Sequence, residues 1–240
     1  MIEDNINESF YLCEGIWLDK ENKTLTDEDT SHKLNINNID DMIIIFEREV
    51  KAWLYEPMIR LMKDDQENKS SYRPFKNAIF MLFGIFSYIE KIQRYKDGKP
   101  YFSGDTESTK ILTFGFKNIF KTNEDKKFGT EKISTILENT RHIMMHSGNI
   151  GDKVLLNYDY NNTNAVTYIG SNKNLSKIEL NPYLMLSAIA KDFDTYIESI
   201  KNDTEIELRN NFEKVFKSVY SDEIKLLGED VQRGRGLNTR

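Results

Sequence analysis

The stretch ILENTRHIMMHSGN, residues 136–149, decides how this chain is read. Phe128, Ile133, Ile136, Leu137, Thr140, Met144 and Met145 recur at the spacing of one apolar helix face, which predicts a helix from about Lys126 to His146. Ser147-Gly148 supplies its stop, because glycine accepts the left-handed backbone that closes a helix. Arg141, His142 and His146 therefore fall on the last turns, where the helix C-terminus attracts positive charge and suits bound anions poorly. The stretch gathers two of the three histidines of the chain beside an arginine.

Upstream, AIFMLFGIFSYI (78–89) is the most apolar segment. It is shorter than the roughly 20 residues a membrane-spanning helix needs, so it reads as a central buried helix starting near Pro74 and stopped by Asp97-Gly98-Lys99-Pro100. Before it, IDDMIIIFEREVKAWLYEPMIRLMK predicts a helix from Ile39, with Asp40 and Asp41 placed to complement its dipole and Pro57 placed to kink or split it. These two long helices are expected to pack as an antiparallel pair. Ser108 is a candidate cap for a short helix through Phe120.

Downstream, the period changes to two in KVLLNYDY (153–160), AVTYIG (165–170) and SKIEL (176–180), consistent with a small antiparallel hairpin or meander. Asn181-Pro182 then opens an amphipathic helix that either runs on or breaks before RNNFEKVFKSVY. The resulting division is an N-terminal extension at 1–38, expected as an ordered strap or hairpin; a mainly α domain at 39–227 with a β insert at about 153–180; and a flexible basic tail at 228–240.

The 240 residues, 39% of them hydrophobic, suffice for a sizeable core. With 33 basic and 39 acidic residues the net charge is -6, so any contact with nucleic acid must be local. The single cysteine, Cys13, excludes an intramolecular disulfide framework and a cysteine-rich zinc module. It is expected to be a partly buried free thiol. The acidic start MIEDNINESFYL lacks the basic and apolar parts of a signal peptide, and the expected location is cytoplasmic, without membrane association.

Arginine and histidine are the pair that metal-free RNA cleavage requires. Histidine exchanges protons near neutral pH, and a guanidinium offsets the charge that grows on a phosphate in the transition state. Helical geometry puts Arg141 and His146 about 140° apart, flanking one edge of the helix. Glu90, on the buried helix, needs a cationic partner, and Arg141 or a histidine could supply it; an exposed charge on a helix edge is the other reading. Glu138 is expected to form a helical surface pair. His142 and His146 stand at i and i+4, a spacing that could seed a metal site, but Ile143 replaces the glutamate of the zinc-protease pattern. His32 is expected to be solvated in a polar loop. Neither FGIF nor GDTESTK matches a phosphate-binding loop.

Arg141-His142-Ile143-Met144-Met145-His146, near a helix end within a helical domain, resembles the Arg-polar-x-x-x-His signature of the HEPN superfamily (higher eukaryotes and prokaryotes nucleotide-binding domain). The likeness in layout covers roughly residues 39 to 220 and implies an antiparallel HEPN-like helical bundle. Many members are metal-independent endoribonucleases of host defence and toxin-antitoxin systems, and two facing motifs form one composite site. The resemblance implies RNA as substrate, a homodimer, a possible antitoxin or defence-system partner, and no metal or other cofactor. It assigns phosphate binding to Arg141 and acid-base chemistry to His146, with His142 and Glu90 in support. The alternative is a non-catalytic module that binds RNA or protein, in which the same pair merely bridges acidic neighbours.

Overall fold

The computed structural model describes residues 9–67, 77–102, 106–121, 128–158, 163–171 and 174–227. Pro74, Lys126 and the basic tail at 228–240, including Arg233 to Gly236, lie outside them. Among the described residues the protein is mainly helical, with two small sheets.

The first described element is an antiparallel meander of four short strands: β1 (Phe10–Cys13), β2 (Ile16–Asp19), β3 (Thr24–Asp27) and β4 (His32–Leu34). An ordered strap or hairpin is the sequence expectation, and the meander carries two hairpins more than that. The polar run ENKTLTDEDTSHK supplies two strands because Leu25 alternates with exposed or half-exposed neighbours and because Asp27, 4% exposed, is neutralised. Arg48 Nη2 lies 3.2 Å from both oxygens of Asp27, and the same guanidinium pairs with Asp29. This fastens the meander to α1 (Ile39–Val50), which carries Arg48. Asn38 caps α1 by accepting the Asp40 N–H at 2.9 Å, and Asp40 and Asp41 fill the first turn as expected. Leu12, Cys13, Ile16, Leu18 and Leu25 join the same hydrophobic core as the helices.

After α1 the helix passes through a π turn, Lys51–Tyr55, into α2 (Glu56–Glu67). Proline at position 57 has no N–H and crowds the carbonyl one turn back. The wider turn ahead of it absorbs that conflict, so Pro57 splits the segment without ending it. The buried stripe consequently steps from Phe46 to Val50 to Tyr55 to Met58, while Trp53 is 57% exposed. Tyr55 donates its hydroxyl to the Ile189 carbonyl at 2.7 Å.

The apolar segment is α3 (Ala78–Asp97), closed by Gly98 in the left-handed conformation with φ 63°. Lys99 N–H donates to the Arg94 carbonyl at 3.0 Å, completing the stop read from Asp97-Gly98-Lys99-Pro100. Helix α4 (Ser108–Ile119) packs on α3 at Gly115, where an added Cβ would meet Ile89 Cγ2 at 2.8 Å and the Ile89 carbonyl oxygen at 3.1 Å. Gly115→Ala should destabilise the protein by about 1–2 kcal/mol, the overpacking cost outweighing the gain in helix propensity; an unchanged or raised melting temperature would contradict this packing.

Helix α5 (Thr130–Ser147) is the motif helix. The second sheet follows: β5 (Val154–Leu156), β6 (Val166–Ser171) and β7 (Asn174–Leu180), in the order β5-β7-β6. β6 and β7 form the antiparallel pair read from the sequence, and β5 adds to the far edge of β7 in parallel. Asn181 caps α6 (Pro182–Lys201), accepting the Leu184 N–H, with proline in the first turn. The helix breaks at Asn202, and α7 (Ile206–Val219) and α8 (Ser221–Leu226) are the last elements among the described residues. Helix α3 packs on α4, α5, α6 and α7 and so forms the centre of the bundle. Among the described residues no helix is long and apolar enough to cross a membrane.

Aromatic rings fill the helical core. Phe46 lies 4.4 Å from the Tyr95 ring centroid and 5.4 Å from that of Phe212. Burial pushes the pKa values of Tyr55, Tyr88, Tyr95, Tyr196 and Tyr220 above their ordinary value of 10.0. It also pushes that of the Cys13 thiol, which is 1% exposed, from 9.0 up to about 12. Cys13 is thus more deeply buried than expected. Groups whose pKa is raised by folding hold their protons more tightly in the native state, so their stabilising contribution is complete at lower pH and is lost as pH rises. Stability should therefore fall as pH climbs above the ordinary thiol and phenol values, in a cooperative step that releases tyrosinate. Gradual, non-cooperative tyrosinate absorbance with unchanged circular dichroism would refute it.

Candidate functional site

Ile133, Ile136, Leu137, Thr140 and Met144 are the buried stripe of α5. Met145 is the exception, 66% exposed, because it falls about 100° beyond Met144 around the helix. Arg141 follows Thr140 and lies at the edge of the stripe, half-buried, while His142 and His146 project outward and are exposed. Gly148 ends the helix with φ 65°, its N–H donating to the Met144 carbonyl at 3.0 Å.

From the edge, Arg141 Nη2 reaches Glu90 Oε2 at 3.0 Å. Glu90 is only 13% exposed, and its other oxygen accepts from Arg94 Nε at 3.2 Å and Nη2 at 2.8 Å. Arg94, whose side chain is 6% exposed, also donates to Ser108 Oγ at 2.9 Å and lies over the Tyr101 ring at 5.3 Å from its centroid. One carboxylate from α3 thus holds two guanidiniums, from α3 and α5, and the arrangement carries a surplus positive charge next to the histidines. The imidazoles of His142 and His146 stack on each other with centroids 4.4 Å apart and planes tilted by 49°. This is the i, i+4 neighbourhood that helix geometry dictates.

The structure therefore brings Glu90 and Arg141 into direct contact and places His142 and His146 together on the adjoining surface. Arg94 was missed, although a glutamate followed four residues later by an arginine on a helix is a readable signal. Three expectations are corrected. Ser108 is the first residue of α4 rather than its cap: Glu107 occupies the cap position, and the Ser108 hydroxyl is engaged by Arg94. Glu138 is exposed on the rim of a cleft and Arg141 turns to Glu90, which is better shielded from water. His32 lies on a strand, exposed, with Nε2 3.5 Å from Asp41 Oδ1.

Two cavities lie along the helices that carry the site, the first of them on it. One, of about 310 Å³, is lined by Glu90, Arg94, Tyr101 and Val215 among others. The other, of about 880 Å³, opens between α4 and α5. Among the described residues no group of three or more His, Cys, Asp or Glu side chains is placed to hold a metal ion. Comparison with protein-family models, with curated proteins and with solved structures gave no match to this chain.

Proposed function

We propose that this protein is a metal-independent endoribonuclease of the HEPN type, working as a homodimer that joins two copies of the motif. The observation that carries this reading is Arg141, held at 3.0 Å by the shielded Glu90 carboxylate, beside the exposed His142 and His146. A guanidinium has several N–H donors, so the contact with Glu90 leaves others for a phosphate. In the reaction, the 2′-hydroxyl oxygen attacks phosphorus as its proton passes to a histidine. The bond from phosphorus to the 5′-oxygen breaks, and that oxygen takes a proton from a second histidine. The products are a 2′,3′-cyclic phosphate and a 5′-hydroxyl. Arg141 offsets the charge on the phosphoryl oxygens, His146 acts as acid or base, and His142 and Glu90 support them. A defence or toxin-antitoxin setting, with a protein partner that restrains the enzyme, and a cytoplasmic location belong to the same proposal.

One observation favours the second reading, a non-catalytic RNA- or protein-binding module: Arg141 already has an ionic partner within its own chain. Cleavage assays in EDTA with purified protein separate the two. Cleavage of tRNA or single-stranded RNA that persists in EDTA supports the nuclease; a well-folded dimer that binds RNA and leaves it intact supports the module.

A further inference from the structure

Along α5 the cleft between α4 and α5 ends at Glu138, about one helical turn before Arg141. On α4, Lys110, Thr113, Phe114, Lys117 and Asn118 share one face at helical spacing, and Thr130, Ser134 and Glu138 line the cleft from α5. The cleft-lining face of α5, distinct from its buried stripe, leads to Arg141, three residues beyond Glu138, so the cleft and the arginine occupy successive turns of one helix face. The two helices run in opposite senses. Lys117 Nζ donates to Thr130 Oγ at 2.7 Å at one end, while Ser108, at the start of α4, is tied through Arg94 and Glu90 to Arg141 at the other.

The lining divides by chemistry. The α4 wall offers the ammonium groups of Lys110 and Lys117 and the ring of Phe114, which is 54% exposed. The α5 wall offers hydroxyls from Thr130, Ser134 and Thr135 together with the carboxylates of Glu131 and Glu138. An exposed aromatic ring between lysines is the arrangement that holds unpaired nucleotides, by stacking a base and neutralising backbone phosphates. Carboxylates repel phosphate but accept from exocyclic amino groups on base edges.

We infer that this cleft holds the single-stranded RNA next to the scissile phosphate, with phosphates along α4, a base stacked on Phe114, and amino-bearing base edges toward Glu131 and Glu138. The assignment rests on the nuclease reading for the position of the scissile phosphate and on the cleft alone for the binding of RNA. It entails that oligocytidylate is bound more tightly than oligouridylate and that a duplex of the same length is bound more weakly than either.

The test is fluorescence anisotropy with labelled oligocytidylate and oligouridylate on the full chain carrying His146→Ala, so that the probe stays intact. Phe114→Ala is expected to weaken oligocytidylate binding by roughly tenfold, the loss of one stacked base. Lys110→Glu should weaken it and flatten its salt dependence, whereas Lys33→Glu, on the exposed face of β4, should leave it unchanged. Melting temperatures of all variants provide the folding control, and cleavage in EDTA is measured separately with His146 intact. Equal binding by the parent and both cleft variants, or no binding of either oligonucleotide, overturns the assignment. Selective loss of binding without any cleavage by the wild type upholds the cleft and removes the nuclease.

Discussion

Replacing His146 by alanine is expected to slow RNA cleavage by about 100- to 10,000-fold, the usual contribution of a positioned acid or base, and Arg141→Ala by about 100- to 1,000-fold through lost stabilisation of phosphoryl charge. Neither change should cost much stability. The His146 side chain is exposed at a helix end, and such surface substitutions usually stay within about 0.5 kcal/mol. The Arg141 side chain is 39% exposed, and removing it leaves Glu90 paired with Arg94, so its ion pair is worth about 1 kcal/mol or less after solvent screening. Activity and melting temperature should therefore separate. Initial cleavage rates in EDTA, set beside thermal unfolding of the same preparations, test this; wild-type rates in both variants would end the proposed roles.

Glu90 is expected to behave in the opposite way, with stability as the main readout. Glu90→Ala leaves two arginines facing one another, and Arg94 has a side-chain exposure of only 6%. Removing one partner of a buried ion pair costs about 3–5 kcal/mol, because the remaining charge keeps its desolvation without its counterion. For a chain of this size each kcal/mol lowers the melting temperature by about 2–4 °C, so a fall of roughly 6–20 °C is expected. Arg94→Met in the same chain should recover part of it, since an apolar pair in a shielded site avoids the stranded charge. A four-variant thermal cycle measures the coupling. Additive losses would show that Glu90 and Arg94 do not act as a unit.

The features legible in the sequence are those set by local chemistry. Gly98 and Gly148 stop their helices in the left-handed conformation, and Asn181-Pro182 starts one. The need of Glu90 for a cation was readable because a carboxylate on a mostly apolar helix has few other ways to be accommodated. What escaped depends on partners distant in the chain. Asp27 becomes a strand residue only because Arg48 on α1 neutralises it, and β5 pairs with β7 across the intervening β6. Ser108 had the composition of a cap, but Arg94 on another helix claims its hydroxyl. Glu138 had Arg141 within reach on its own helix, and Glu90 in the shielded interior took it instead.

The π turn at Lys51–Tyr55 makes chain length, rather than residue identity, the quantity fixed at that point. The buried stripe takes a five-residue step from Val50 to Tyr55 where a regular helix would take three or four. A substitution within the turn changes one side chain and leaves the phase of the helix intact. A deletion there rotates everything beyond it by about 100°, withdrawing Tyr55 from the Ile189 carbonyl and Met58 from the core together. Side chains at the exposed positions Lys51 and Trp53 can therefore change while the count is kept, whereas Leu54 packs against the core and is tied to its place.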